Sequence, residues 1–345
     1  MATYEGFFNA LGLRDWCDAD AANAPMSMAQ LLVQAQGGDV DDAEGGGLPF
    51  PSLDVLHDAC PAIGQTRDLT AALETGFLAM RDELKFVLDP LTQPLSWMLD
   101  GALALFQWTP WWVMIPVLLI GTWFASRSRG VTAFVAFVLL FFAFIDHYDV
   151  AMQTLAIVFV CTSLSVAIGV PVGIGMSRSD LTQRLIVPVL DLLQTLPTFV
   201  YLIPLIFLFS VTESKLYGIA IILYAIVPVI RLTDLGIRLV DRDVIEAADA
   251  FGMTKRQKLW RVQLPLALPN IMAGINQTIM MSLAMVVIAS LVSAPGLGVL
   301  VLRGIRNLEL GVGIVAGLGI VLLAVILDRV SKAALGRVDK QSKAH

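Results

Sequence analysis

From Val262 to Leu302 the chain runs for 41 residues without a charged side chain. As one helix that run would be about 60 Å long at about 1.5 Å per residue, twice the hydrocarbon thickness of a bilayer. One membrane crossing cannot use all of it. The sequence Ala294-Pro295-Gly296-Leu297-Gly298 marks the break, so residues 266–293 read as a span and the remainder as a re-entrant or loop segment. Six more charge-free runs lie at residues 101–126, 130–145, 150–177, 192–212, 216–230 and 310–327. The pattern predicts an all-α integral membrane protein with about seven transmembrane helices. Composition agrees: 57% of the 345 residues are hydrophobic and 15% charged, against about 25% charged in a soluble domain.

The net charge of −6 is unevenly spread. Residues 1–100 hold 16 acidic and 4 basic side chains, a net of −12, and the remaining 245 carry +6. The acidity belongs to an N-terminal tail, and nothing supports a nucleic-acid partner. The tail begins without the basic n-region of a signal peptide. Residues 1–66 read as weakly structured, with a short helix near residues 26–36. Over residues 69–88 apolar side chains recur at helical spacing opposite Glu74, Asp82 and Glu83. That predicts an amphipathic helix, ended by Pro90 and Pro94, which either lies on the membrane surface or packs against the protein. Cys17, Cys60 and Cys161 show no metal-ligand spacing, so no metal site is expected. Cys17 and Cys60 can pair if the tail is extracytoplasmic.

Short-loop Lys and Arg set the orientation. Arg127 and Arg129, Arg178 and Arg184, Arg231 to Arg261, and Arg329, Lys332 and Arg337 follow the odd-numbered spans. The tail is then outside and the C-terminus cytoplasmic. Arg303 and Arg306 fall outside in this scheme. Two spans within the 41-residue run would bring them inside but put the basic C-terminus outside, so seven is preferred. The expected division is an acidic tail (1–100), two accessory spans (101–149), a core (150–335) with a cytoplasmic loop (241–263), and a cytoplasmic tail (336–345).

That loop has complete local signals. Asp243 with Glu246 reads as an Asp form of the capping box, Gly252 as the helix stop, Thr254 with Gln257 as a second box, and Pro265 as the end of the unit. A polar helix, a glycine turn and a second polar helix thus lie between two membrane segments, where something outside the bilayer must read them.

The loop resembles the signature of ABC-importer permeases, Glu-Ala-Ala-x3-Gly-x9-Ile-x-Leu-Pro. Here it stands as Glu246-Ala247-Ala248, Gly252, Val262 and Leu264-Pro265, with Val for Ile as the one departure. The likeness extends over about residues 150–330 and is greatest to betaine-type permeases of osmoprotectant importers. The stretches that carry it are Asp191-Leu-Leu-Gln194-Thr195-Leu-Pro197-Thr-Phe199-Val-Tyr201-Leu-Ile-Pro204, Asn276-Gln277-Thr278, Met285-Val-Val-Ile-Ala-Ser290 and Val301-Leu-Arg303-Gly304-Ile305. The resemblance implies a type I ABC-importer permease fold in a bacterial inner membrane. It also implies a homodimer with a second permease copy, two ATP-binding subunits and an extracytoplasmic substrate-binding protein. No cofactor belongs to this chain, since ATP and Mg are bound by the partner subunit. Asp243, Glu246, Ala247, Ala248, Ala250, Gly252, Leu264 and Pro265 would form the loop that docks on the ATPase. The alanines keep one face small for close approach.

Within the spans, Asp191 is an ionisable group at membrane depth and a functional candidate on that ground, with a pairing to Arg184 as the plain alternative. Gln194, Thr195, Pro197, Phe199 and Tyr201 add polar, backbone-freeing and aromatic groups, and aromatic faces attract a methylated ammonium. Asn276, Gln277 and Thr278 cannot all face lipid. Ordinary helix packing accounts for each of these residues taken singly. Gly311, Gly313 and Gly317 read as small-residue helix packing rather than a nucleotide fingerprint. The chain offers no paired carboxylates or His cluster for an enzyme. The expected function is the membrane subunit of an importer for glycine betaine, proline betaine, choline, carnitine or trimethylamine N-oxide. A stand-alone secondary transporter or channel is the alternative.

Overall fold

The computed structural model describes residues 66–342, together with Phe8, residues 11–13 and Cys60. Cys17 and the helix expected near residues 26–36 lie outside the described residues. Cys60 itself is disulfide-bonded. The chain divides at Asp82 and Glu83 into two units, and the second holds the membrane helices.

In order, the helices are α1 (Thr66–Trp108), α2 (Trp111–Ser126), α3 (Arg129–Phe144), α4 (Tyr148–Arg178) and α5 (Asp180–Thr195). A 3-10 turn (Thr198–Tyr201) leads to α6 (Leu202–Leu208), and α7 (Ser214–Arg238) follows. The polar loop folds as α8 (Arg242–Ala250), α9 (Lys255–Lys258) and a π-helical turn (Leu259–Gln263) that runs straight into α10 (Leu264–Ala289). After a 3-10 turn (Ser290–Val292) come α11 (Leu297–Arg306) and α12 (Leu310–Ser342).

Four segments are long and apolar enough to cross a membrane singly: Tyr148–Arg178, Ser214–Arg238, Lys255–Val292 and Leu310–Ala334. Two bent pairs, Leu69–Trp108 with Trp111–Ser126 (115°) and Asp180–Thr195 with Thr198–Leu208 (106°), raise the number to six. Arg129–Phe144 is apolar but shorter, at 16 residues. Each charge-free run lies on one of these elements, but not all are straight spans. The bends fall at Pro110 and Pro197, which lack an N–H and hold the preceding residue out of the α region. The expected span at 192–212 is therefore two pieces. Conversely, Pro90 and Pro94 do not end the amphipathic helix, because α1 continues through both to Trp108.

The centre of the second unit is α7, packed between α4 and α10. Glycines let it in. A Cβ built on Gly169 would lie 2.4 Å from Val229 Cγ1, and one on Gly173 would lie 2.6 Å from Thr233 Cβ and 2.7 Å from the Ile230 carbonyl oxygen. This is close helix approach through small residues four apart. A second apolar cluster joins Val138, Leu139 and Phe142 of α3 to Met152 of α4, Leu297 of α11 and Leu323 of α12. The break in the long run lies as expected: Ser293 is left-handed at φ 73°, Gly296 at φ 119°, and the Leu297 N–H donates to Thr154 Oγ1 at 2.9 Å. Gly313 fits the small-packing reading, since a Cβ on Gly304 would meet its Cα at 2.5 Å. Gly311 and Gly317 have nothing within 4 Å of where a Cβ would stand.

At one end of α7, Lys215 is buried, with its side chain 5% exposed. It donates to Asp89 of α1 at 2.6 Å, lies 2.7 Å from Glu213, and stands 5.1 Å from the Phe209 ring centre. One turn on, Gly218 leaves room for Leu95 and Leu99 of α1. α1 is thus held to α7 by the Lys215 cation, a hydrogen bond from Ser214 to Asp100 and a glycine notch.

Candidate functional site

The polar loop forms a hairpin. Its first arm is capped by Asp241, whose side chain accepts from the Asp243 N–H at 3.0 Å. The expected cap at Asp243 is therefore displaced by two residues, and Asp243 lies in the first turn, where its charge suits the helix N-terminus. Val240 is buried and Asp241 exposed, so the chain leaves the protein two residues earlier than the expected cap.

The arm ends at Gly252, at φ +70°. The Gly252 N–H donates to the Asp249 carbonyl at 2.9 Å and the Met253 N–H to the Ala248 carbonyl at 3.1 Å. That pair of bonds is the Schellman ending, and the αL residue it requires is best supplied by glycine. The second arm opens on Thr254, which accepts from the Gln257 N–H while the Gln257 side chain accepts from the Thr254 N–H at 2.9 Å, the expected capping box. Lys258 then bridges back to Asp249 at 2.7 Å and ties the arms together.

Asp243, Glu246, Ala247 and Ala250 fall at i, i+3, i+4 and i+7, and all four are exposed. Ala248 is turned inward and buried. Small side chains and two carboxylates therefore make the outward face of α8. Phe251 at the tip and Trp260 on the second arm are large, apolar and exposed. An open groove of about 470 Å³, lined by Thr254, Arg256, Gln257, Trp260 and Arg261, runs along that arm. Leu264 is half-buried and Pro265 exposed at the start of α10. Pro265 does not end the unit: the helix runs through it from the π turn into α10.

The membrane residues divide into two groups. Asp191, Gln194 and Thr195 are exposed in the last turns of α5, rather than in the first turns of a long span. Thr195 Oγ1 donates to the Leu192 carbonyl of its own helix. Pro197 and Phe199 are exposed beyond the bend, and Tyr201 is buried with no partner for its hydroxyl among the described residues. Asp191 pairs with Arg231 of α7, not Arg184. The second group turns elsewhere. Asn276 donates to Asp328 of α12 at 3.2 Å and accepts from Ser331, Gln277 is exposed, and Thr278 is buried.

Sequence reasoning passed over one cluster. Asp234, buried on α7, accepts from Gln183 of α5 at 2.8 Å and from Arg238 at 2.9 Å, and Arg238 also reaches Asp180 and the Met176 carbonyl, both at 2.8 Å. It locks together the same ends of α4, α5 and α7. The signal was present as Arg231, Asp234 and Arg238 at helical spacing (i, i+3, i+7), but the apolar run was cut at Ile230 and all three fell into the loop.

The sequence profile of the family described as "Binding-protein-dependent transport system inner membrane component" matches residues 165–340, which hold the C-terminal part of α4, α5 to α11 with the hairpin, and most of α12. The chain belongs to that family. It is a multi-pass inner-membrane component of a transport system, and not an enzyme. Among its relatives is the glycine betaine transport system permease protein OpuAB of Bacillus subtilis (strain 168), 43% identical over 67% of this chain and 83% of that protein. The glycine betaine/proline betaine transport system permease protein ProW of Escherichia coli (strain K12) is 43% identical over 73% and 70%. The trimethylamine N-oxide transport system permease protein TmoV of Ruegeria pomeroyi is 41% identical over 55% and 29%. A solved chain of the MetNI methionine ABC transporter, in an inward-facing conformation, aligns at 21% identity and a TM-score of 0.49, covering 54% of this chain and 93% of that one.

Proposed function

We propose that this chain is the permease subunit of an ATP-driven importer, of the type I permease fold, for a small methylated-ammonium osmolyte: glycine betaine, proline betaine, choline, carnitine or trimethylamine N-oxide. The observation that carries it is the hairpin. It carries the signature residues on a capped, ion-paired unit that continues through its second arm without a break into the membrane helix α10. A partner that grips α8 moves α10, because the π turn and α10 share one continuous helix. ATP and Mg are bound on two partner subunits, a second copy of this chain completes the path, and an extracytoplasmic binding protein delivers the cargo. The N-terminus is outside and the C-terminus cytoplasmic. The disulfide at Cys60 fits an oxidising compartment for the tail, and Arg178 and Arg238 at the hairpin's end of α4 and α7 fit the cytoplasmic side.

The test is reconstitution in proteoliposomes with the ATPase and binding protein. Uptake of radiolabelled glycine betaine should require all three components and internal ATP. Uptake by this chain alone, driven by an ion gradient, would favour a stand-alone transporter instead.

A further inference from the structure

Two arginines of α7 are used very differently. Arg238 is fully engaged by Asp234, Asp180 and the Met176 carbonyl. Arg231 meets the single carboxylate of Asp191, and its Nε is buried with no acceptor among the described residues. Arg231 is the eighteenth residue of a helix that begins at Ser214, about 26 Å along its axis, so a hydrocarbon core about 30 Å thick that starts with the helix would enclose it near the far side. Yet the side chains of Arg231 and Asp191 are 40% and 55% exposed. Charged groups at that depth do not face lipid; they face water, a polar path or another subunit. Phe199, in the turn after α5, is exposed as well.

We propose that Asp191 and Arg231 form a zwitterion-exchange site on the translocation path. Arg231 takes the cargo's carboxylate, Asp191 takes its quaternary ammonium, and the two close on each other when the cargo leaves. The proposal rests on the reading that this chain carries methylated-ammonium osmolytes, and it narrows them to those bearing a carboxylate. A neutral pair that opens for a neutral zwitterion exchanges one ion contact for two and leaves no charge alone in a low dielectric. A cation such as choline would satisfy Asp191 but strand Arg231. The spare donor capacity of Arg231 suits a carboxylate, which guanidinium binds with two parallel hydrogen bonds.

The experiment uses the complete importer in proteoliposomes. Asp191→Asn and Arg231→Gln should each lower ATP-dependent glycine betaine uptake by about tenfold or more, the loss of one charge-assisted contact. The swapped variant Asp191→Arg with Arg231→Asp should recover much of it, since a zwitterion can enter reversed. Co-purification with the ATPase subunit checks folding. In the wild type, glycine betaine loaded inside the vesicles should slow uptake and choline should not, a comparison the external binding protein cannot bias. Single variants within about twofold of wild type, a swap no better than the singles, or equal inhibition by internal choline would each overturn the site. Wild-type importer that takes up no methylated amine would overturn the proposed function instead.

Discussion

The side-chain amide of Gln183 donates to Oδ2 of Asp234 at 2.8 Å, and through that carboxylate α5 is joined to Arg238 on α7. Replacing Asp234 with Leu leaves Gln183 and a partly exposed guanidinium without their acceptor. Because Arg238 keeps Asp180 and the Met176 carbonyl, the expected loss is about 1–3 kcal/mol rather than the larger cost of a stranded buried charge. Thermal unfolding in detergent should show a lowered midpoint, with Asp234→Asn falling less. An unchanged midpoint for the Leu variant would mean the cluster is ornamental.

Gly173 should tolerate not even a methyl group. Ala there places Cβ against Thr233 and the Ile230 carbonyl, and overpacking of this kind costs about 1–3 kcal/mol. Gly175, two residues on with nothing within 4 Å, is the control. Ala at that position should be neutral or stabilise by up to about 1 kcal/mol. The Gly173 variant's midpoint should fall and the Gly175 variant's should not, and equal shifts would contradict the α4–α7 contact.

Gly252→Val forces a β-branched residue into the left-handed region, at a cost of about 1–2 kcal/mol, and disturbs the Schellman ending. The expected outcome is uncoupling: the partner continues to hydrolyse ATP while glycine betaine uptake falls. Normal uptake in vesicles carrying this variant would remove the hairpin from the coupling path.

Lys215→Met keeps much of the side-chain volume but leaves Asp89 and Glu213 facing each other without their cation. Both carboxylates are about one-third exposed, so the loss should be moderate, about 1–3 kcal/mol. Adding Asp89→Asn should restore part of it. If the double variant is less stable than the single, the lysine is not what holds α1.

The hairpin was legible in the sequence because its signals are local. Gly252, Thr254 and Gln257 act on backbone groups within three residues, and each did in the fold what its spacing implied. The Asp243 cap failed by two residues for a similarly local reason: Asp241 offers the same chemistry two residues earlier. What could not be read was set by distance in the chain. Asp191 finds Arg231 forty residues away, and Lys215 finds Asp89 across 126. No periodicity encodes such pairs. Helix continuity through Pro90 and Pro94 was missed because a proline's lost hydrogen bond is a cost that surrounding packing can outweigh. Pro110 and Pro197 bend the chain where the same residue type at 90 and 94 does not.

Because Lys255–Val292 is continuous over 38 residues, a displacement at the Lys258–Asp249 tie travels about 51 Å along one axis. Yet the π turn at Leu259–Gln263 adds a residue to that axis, which offsets the helical phase by roughly 100°. The arm and the span therefore share a lever but not a face, so the direction in which an ATPase pushes on Trp260 need not be the direction in which Asn276 moves. Deleting one residue from the π turn would re-phase the span against the arm and shorten the signature's spacing between Gly252 and Pro265 by one residue.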